Sequence, residues 1–165
     1  MANWKGHVAG GVVLGVGYAA ALSYVPVQVY AERIHVLHDW QAMAAILVLS
    51  VLFALFPDID TNSKGQTIFY SLALVVDVLL IANGYMQAAA YLGLVALLPV
   101  VGKHRGWTHS KLAMIAVPLP LLVVPYLYSA RSLPIAAIYY GAAVAGYFSH
   151  LLLDGLIWKH IRVKN

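Results

Sequence analysis

Cysteine is absent from this chain, and charge is scarce. Without cysteine there is no disulfide framework, no thiolate nucleophile and no sulfur-ligated metal. Lys, Arg, Asp and Glu make up only 10% of the 165 residues, against about 25% in soluble domains. That shortage excludes a water-facing globule, which could not cover its surface with so few polar side chains. Also missing are the GxSxG elbow of serine hydrolases, the Walker phosphate loop and the dinucleotide fingerprint. No run of basic residues suggests a nucleic-acid partner, because the ten Lys and Arg are scattered over several loops.

What is present is hydrocarbon. Hydrophobic residues make up 62% of the chain, and the mean hydropathy is +0.82. Long apolar segments separated by short polar ones describe a polytopic, all-α membrane protein, and residues 1–165 make one helical domain. A bilayer core takes about 20 apolar residues per helix. Six spans are expected, over about 8–29, 41–56, 67–83, 86–102, 112–129 and 134–153. The third and fourth are short and joined by Asn83-Gly84-Tyr85, so one bent span or a re-entrant pair is the alternative there. The first segment resembles a signal peptide around AAALS, but its basic region is only Lys5, so it reads as a retained helix.

Six spans place the two termini and the loops 57–66 and 103–111 on one side. Eight of the ten Lys and Arg fall there, and Arg33 and Arg131 fall opposite. The positive-inside rule makes that side cytoplasmic. Trp4, Trp107 and Trp158 then lie at the cytoplasmic interface and Trp40 at the outer one.

The metal-capable side chains collect on the same face. His7 opens the first helix, FPDID brings Asp58 and Asp60, KHRGWTHSK brings His104 and His109, and SHLLLDG brings His150 and Asp154. His150 and Asp154 are i, i+4 and share a helix face. In an extended stretch after Pro57, Asp58 and Asp60 would point the same way while Ile59 enters the apolar layer. His104 and His109 suit a folded loop. Seven potential ligands exceed the needs of one four-coordinate ion, so one or two ions are expected. Imidazole with carboxylate suits Zn, Mn or Fe better than Ca or Mg.

Each stretch also has an ordinary reading. Asp58 or Asp60 could cap the next helix, and Lys103, Arg105 and Lys111 could anchor in anionic headgroups. It is the convergence of four distant stretches on one face that favours a metal site. Outside it, His35, His38 and Asp39 read as a solvated loop on the outer side, with a transition-metal site as the alternative because His35 and Asp39 are i, i+4. Asp77, within the third span, is either functional or a protonated hydrogen-bonding group. Gly11 and Gly15 form a GxxxG pair for close helix packing.

In order, GHVAGG, FPDID, HRGWTHS and SHLLLDG resemble the YdjM-like family of inner-membrane, metal-dependent hydrolases, over His7 to Asp154. More distantly they resemble the zinc-dependent phospholipase C and P1 nuclease proteins. The resemblance implies metal-dependent hydrolysis with His7, Asp58, Asp60, His104, His109, His150 and Asp154 at the matching positions. The soluble relatives also use their mature N-terminal residue as a ligand, for which Met1-Ala2-Asn3 has no counterpart. Combined with the residues themselves, the expected activity is hydrolysis of a phosphoester of a lipid or lipid-linked substrate. Arg105 would hold a phosphate oxygen, while Thr108 and Ser110 would bond the substrate or orient a histidine. A metal or proton transporter, or a membrane protein with a structural metal, is the alternative.

Overall fold

The computed structural model describes residues 3–25, 27–29, 32–34, 39–60, 63–101 and 107–157; for 27–29, 32–34, 60 and 98–101 the backbone alone is described. It is a helix bundle. α1 (Trp4–Ser23) leads into a small antiparallel hairpin, β1 (Val27–Val29) and β2 (Glu32–Ile34), which pairs Val27 with Ile34 and Val29 with Glu32. There follow α2 (Trp40–Leu55), a 3₁₀ turn (Phe56–Asp60), α3 (Lys64–Ala82), α4 (Met86–Val101), the short α5 (Lys111–Ala116), α6 (Pro120–Tyr128) and, after a second 3₁₀ turn, α7 (Leu133–Leu153).

Among the described residues, five helical stretches are long and apolar enough to cross a membrane: Trp4–Ser23, Trp40–Ile59, Lys64–Ala82, Lys111–Tyr128 and Ala130–Leu153; Met86–Leu97 is shorter and also apolar. The six expected spans are thus six helical stretches, with two differences. The first helix starts earlier and stops at Ser23, because the β-branched residues of 27–34 form the hairpin rather than a sixth turn of helix. The fifth is broken into α5 and α6 around Pro118 and Pro120, which lack the N–H a continuous helix needs. Asn83-Gly84 does make a turn, with Gly84 at φ +81°, so α3 and α4 are separate helices.

The starts are set by local capping. Asn3 accepts from Gly6 N at 3.0 Å, Ser63 from Gln66 N at 3.1 Å and Ser110 from Ala113 N at 3.0 Å. Asp39 does the same for α2 through Gln41 N, so this member of the outer polar group is a cap; His35 and His38 lie outside the described residues.

α1, α2 and α7 form the centre, joined by small residues. Gly11 and Gly15 of α1 sit on Ser50 of α2, whose Oγ donates to Gly11 O at 2.8 Å. Gly146 of α7 packs on the backbone of the same Ser50. Large apolar residues such as Val13, Leu74, Leu94 and Leu112 are exposed on the outward faces. This is the inverse of a soluble protein and is what a lipid solvent requires. Up-and-down threading brings the start of α1, the end of α2, the start of α5 and the end of α7 to one end of the bundle.

Candidate metal centre

At that end the polar side chains meet over a layer of Phe56, Ile59, Phe69, Tyr147 and Leu151, all buried. The sequence that builds the layer also places the donors. Pro57 follows α2, and the chain tightens there into 3₁₀ pairing instead of the extended stretch expected. Ile59 is fully buried, as its place between two aspartates suggests, and Asp58 is left at the rim. The turn is held from α3, where Gln66 Nε2 donates to Ile59 O at 2.9 Å and Ser63 Oγ to Asp58 O at 3.3 Å.

With 3₁₀ pairing, the partner of the Ala54 carbonyl is residue 57, and a proline has no N–H to give. That carbonyl is taken by His150 Nδ1 at 2.8 Å. A carbonyl only accepts, so Nδ1 carries the proton and the His150 Nε2 lone pair faces the cluster.

His109 is fixed in the same sense. Thr108 is fully buried, and its hydroxyl donates to Pro57 O at 3.1 Å. The hydroxyl oxygen lies 3.2 Å from His109 Nδ1, and with its own proton committed it accepts from that nitrogen. His109 Nε2 therefore also presents a lone pair. The two Nε2 atoms stand 3.3 Å apart.

Around them the remaining donors close in. Asp58 Oδ1 is 3.4 Å from His109 Nε2 and 3.7 Å from His150 Nε2, and Asp58 Oδ2 is 3.8 Å from His7 Nε2. Asp154 offers Oδ1 to His7 Nε2 and Oδ2 to His150 Nε2, each at 3.6 Å. His7 stacks flat on His150 with ring centroids 3.8 Å apart, and neither of its buried ring nitrogens makes a hydrogen bond among the described residues. His7, His150 and the Asp154 carboxylate are sealed at 0–1% exposure, whereas Asp58 at 27% and His109 at 19% open to the outside.

These five residues could hold an ion in two overlapping groups, His7–His150–Asp154 and Asp58–His109–His150. The separations fit that use. Two ligands about 2.0–2.1 Å from a tetrahedral ion stand roughly 3.3–3.4 Å apart, and the observed 3.3–3.8 Å lies at or just beyond that edge. These distances are too long for good hydrogen bonds and too short for unrelated polar groups in a buried site.

Other sequence candidates fall elsewhere. His104 and Arg105 lie outside the described residues, as does the side chain of Asp60. Ser110 caps α5 through Ala113 N. Asp77 sits in α3, its Oδ1 buried with no hydrogen-bond partner among the described residues. Sequence reasoning did not single out Tyr147, which donates to the backbone carbonyl of Thr108 and ties the His109 loop to α7. A tyrosine in an apolar helix reads as packing, and only its buried hydroxyl hints at a partner.

No curated protein and no solved structure matches the chain. A family model does, over residues 1–162, so nearly all of the sequence from the cap of α1 to beyond Asp154 follows one pattern. The chain belongs to the YdjM inner membrane protein family.

Proposed function

We propose that this protein holds one or two divalent ions at the membrane interface and hydrolyses a phosphoester of a lipid or lipid-linked substrate there. The observation that carries the metal is the facing pair of His109 and His150 Nε2 atoms, 3.3 Å apart and both presenting lone pairs. Such a pair repels unless a cation sits between them. With two carboxylates and a third imidazole crowding the same space, a divalent ion satisfies more of the donors than a proton does. Zn fits the donor chemistry best, with Mn or Fe next.

The donors divide into two sets. Asp58 Oδ1 stands with His109 and His150, while Asp58 Oδ2 stands with His7, which faces Asp154 Oδ1. Because His150 has a single lone pair to offer, it serves one ion only. Two ions sharing the Asp58 carboxylate would have three protein ligands each. When bound, such ions acidify a water and polarise a phosphoryl oxygen.

The residues of the chain orient and admit the substrate. Asp58 and His109 are the partly exposed members, so an ester approaches from their side, and His7 and Asp154 close the base. Arg105, from its place in the same loop, would grip a phosphate oxygen with its guanidinium. Asp60 and His104 are the further ligands the sequence offers. Thr108 Oγ1 donates to Pro57 O and Ser110 Oγ accepts from Ala113 N, which supports a role for both in holding the loop.

Two features support a hydrocarbon-bearing substrate. The site lies at the end of apolar spans, and a cavity of about 730 Å³ opens among α2, α3, α4, α6 and α7. Ligand sites run to roughly 300–1,000 Å³. Its lining is apolar, including Leu49, Leu92, Val95 and Leu121; it runs from Asp39, Tyr85 and Ser132 at the opposite end of the bundle to Phe53, five residues before Asp58, and none of the five donors lines it. The bias of Lys and Arg makes this face cytoplasmic.

The test is a screen of the zinc-loaded protein in bilayers against phospholipids, isoprenoid phosphates and soluble phosphoesters. Turnover of a lipid phosphoester that a chelator abolishes supports the proposal. Turnover of soluble esters alone removes its lipid part. No turnover of any phosphoester by protein with zinc bound contradicts hydrolysis and leaves the metal a structural role.

A further inference from the structure

The Thr108 hydroxyl and the Tyr147 phenol do nothing that a phosphoester reaction needs directly, yet both are buried and bonded within the protein. Thr108 Oγ1 gives its proton to Pro57 O and one lone pair to His109 Nδ1. Tyr147, three residues before His150 on α7, donates to the backbone carbonyl of Thr108. Its ring packs on Phe56 with centroids 6.0 Å apart. The loop carrying His109 is thereby tied to α7 through Tyr147 and to the 3₁₀ turn of Asp58 through Thr108.

We infer that Thr108 and Tyr147 are positioning residues that select the metal-binding tautomer of His109 and hold it against His150 and Asp58. This rests on the metal reading above and goes beyond it by assigning the link that makes His109 a ligand. The logic is in the direction of the bonds. Were the Thr108 hydroxyl absent, His109 Nδ1 would lose this acceptor, and the ring could place its proton on Nε2 and turn its donor side toward the site. Partners of this kind orient and tune metal-bound imidazoles, and their loss costs about 10–100-fold in metal affinity. The second histidine has its own device, since His150 Nδ1 is held by Ala54 O. The two devices share one origin, the turn at Pro57, whose missing N–H leaves Ala54 O for His150 and whose carbonyl receives Thr108.

The test uses the full chain in nanodiscs with zinc as the probe, comparing wild type, Thr108→Val, Thr108→Ser and Tyr147→Phe. Zinc affinity is read by chelator competition, and the His109 tautomer by ¹⁵N NMR of the metal-free protein. Thr108→Val should bind zinc about 10–100-fold more weakly and lose the Nδ1–H form of His109, while Thr108→Ser restores both. Tyr147→Phe keeps the Thr108 hydroxyl and most of the packing, so it checks the link if the valine variant does not fold. It should weaken zinc without removing the Nδ1–H form. Wild type that takes up no zinc refutes the metal reading and this inference with it. Wild type that binds zinc while Thr108→Val and Tyr147→Phe bind it equally well refutes the positioning role alone. So does a wild-type His109 with its proton on Nε2.

Discussion

Replacing Gly146 by alanine should damage the metal centre from a full helical turn away. A Cβ at Gly146 would lie 2.0 Å from Ser50 O, 2.7 Å from Ser50 C and 2.8 Å from Ser50 Cα. These are backbone atoms of the central helix α2, so no side chain can swing aside. To reach even the shortest tolerable contact, α7 must retreat from α2 by about 1 Å. His150 and Ala54 are each four residues further along the same two helices, one turn on. The 2.8 Å bond from His150 Nδ1 to Ala54 O then stretches beyond hydrogen-bond range. Metal ligands tolerate errors of only about 0.2 Å. Overpacking of this kind costs about 1–3 kcal/mol, and the loss of a partner behind a ligand imidazole costs roughly 10–100-fold in affinity. Gly146→Ala should therefore melt at lower temperature and bind zinc at least about tenfold more weakly. Gly17→Ala is the control, since its Cβ meets nothing within 4 Å on an exposed face of α1. Thermal unfolding in detergent and chelator competition measure both. A Gly146→Ala protein with wild-type melting and zinc affinity would refute the packing on which the centre is built.

Arg105→Ala should retain bound zinc but lower turnover of an anionic ester, because a guanidinium binds phosphate and not metal; metal analysis and initial rates on the same sample check this. Asp77→Leu, in the apolar length of α3, should change zinc affinity by no more than roughly twofold, and a larger loss would tie Asp77 to the site. Reporter fusions placed after Tyr30 and after Arg131 should both report the outer side. An inside signal at either would overturn the orientation.

The bundle was legible because its cause is compositional: with so little charge, the apolar segments had to be membrane helices, and their lengths mark them out. The errors lie where local geometry decides. Val27-Gln-Val29 continues the apolar first segment in composition, but pairs as a strand with Glu32-Arg-Ile34. Pro118 and Pro120 interrupt a segment whose hydropathy is continuous. The five clustered donors were legible too, since up-and-down threading puts helix ends of one parity on one face, and His7, Asp58, His109, His150 and Asp154 all lie at such ends. What no spacing could reveal was which nitrogen of each histidine faces inward. That depends on Ala54 O and Thr108 Oγ1, distant in sequence from His150 and adjacent to His109 respectively, and on a 3₁₀ turn that reads from sequence as an extended stretch. Tyr147 was hidden for a related reason, since its function resides in one hydroxyl inside an otherwise apolar helix.

The most direct measurement is the metal content of the purified protein, by elemental analysis, for wild type and for His150→Ala after equilibration with zinc and removal of loose ions. His150 contributes to both donor groups and is itself fully buried. Wild type should hold at least one zinc per chain, and two if the Asp58 carboxylate is shared, while His150→Ala should lose an ion. A wild type that emerges without zinc, or a His150→Ala variant that holds as much as wild type, would contradict a metal centre at this end of the bundle.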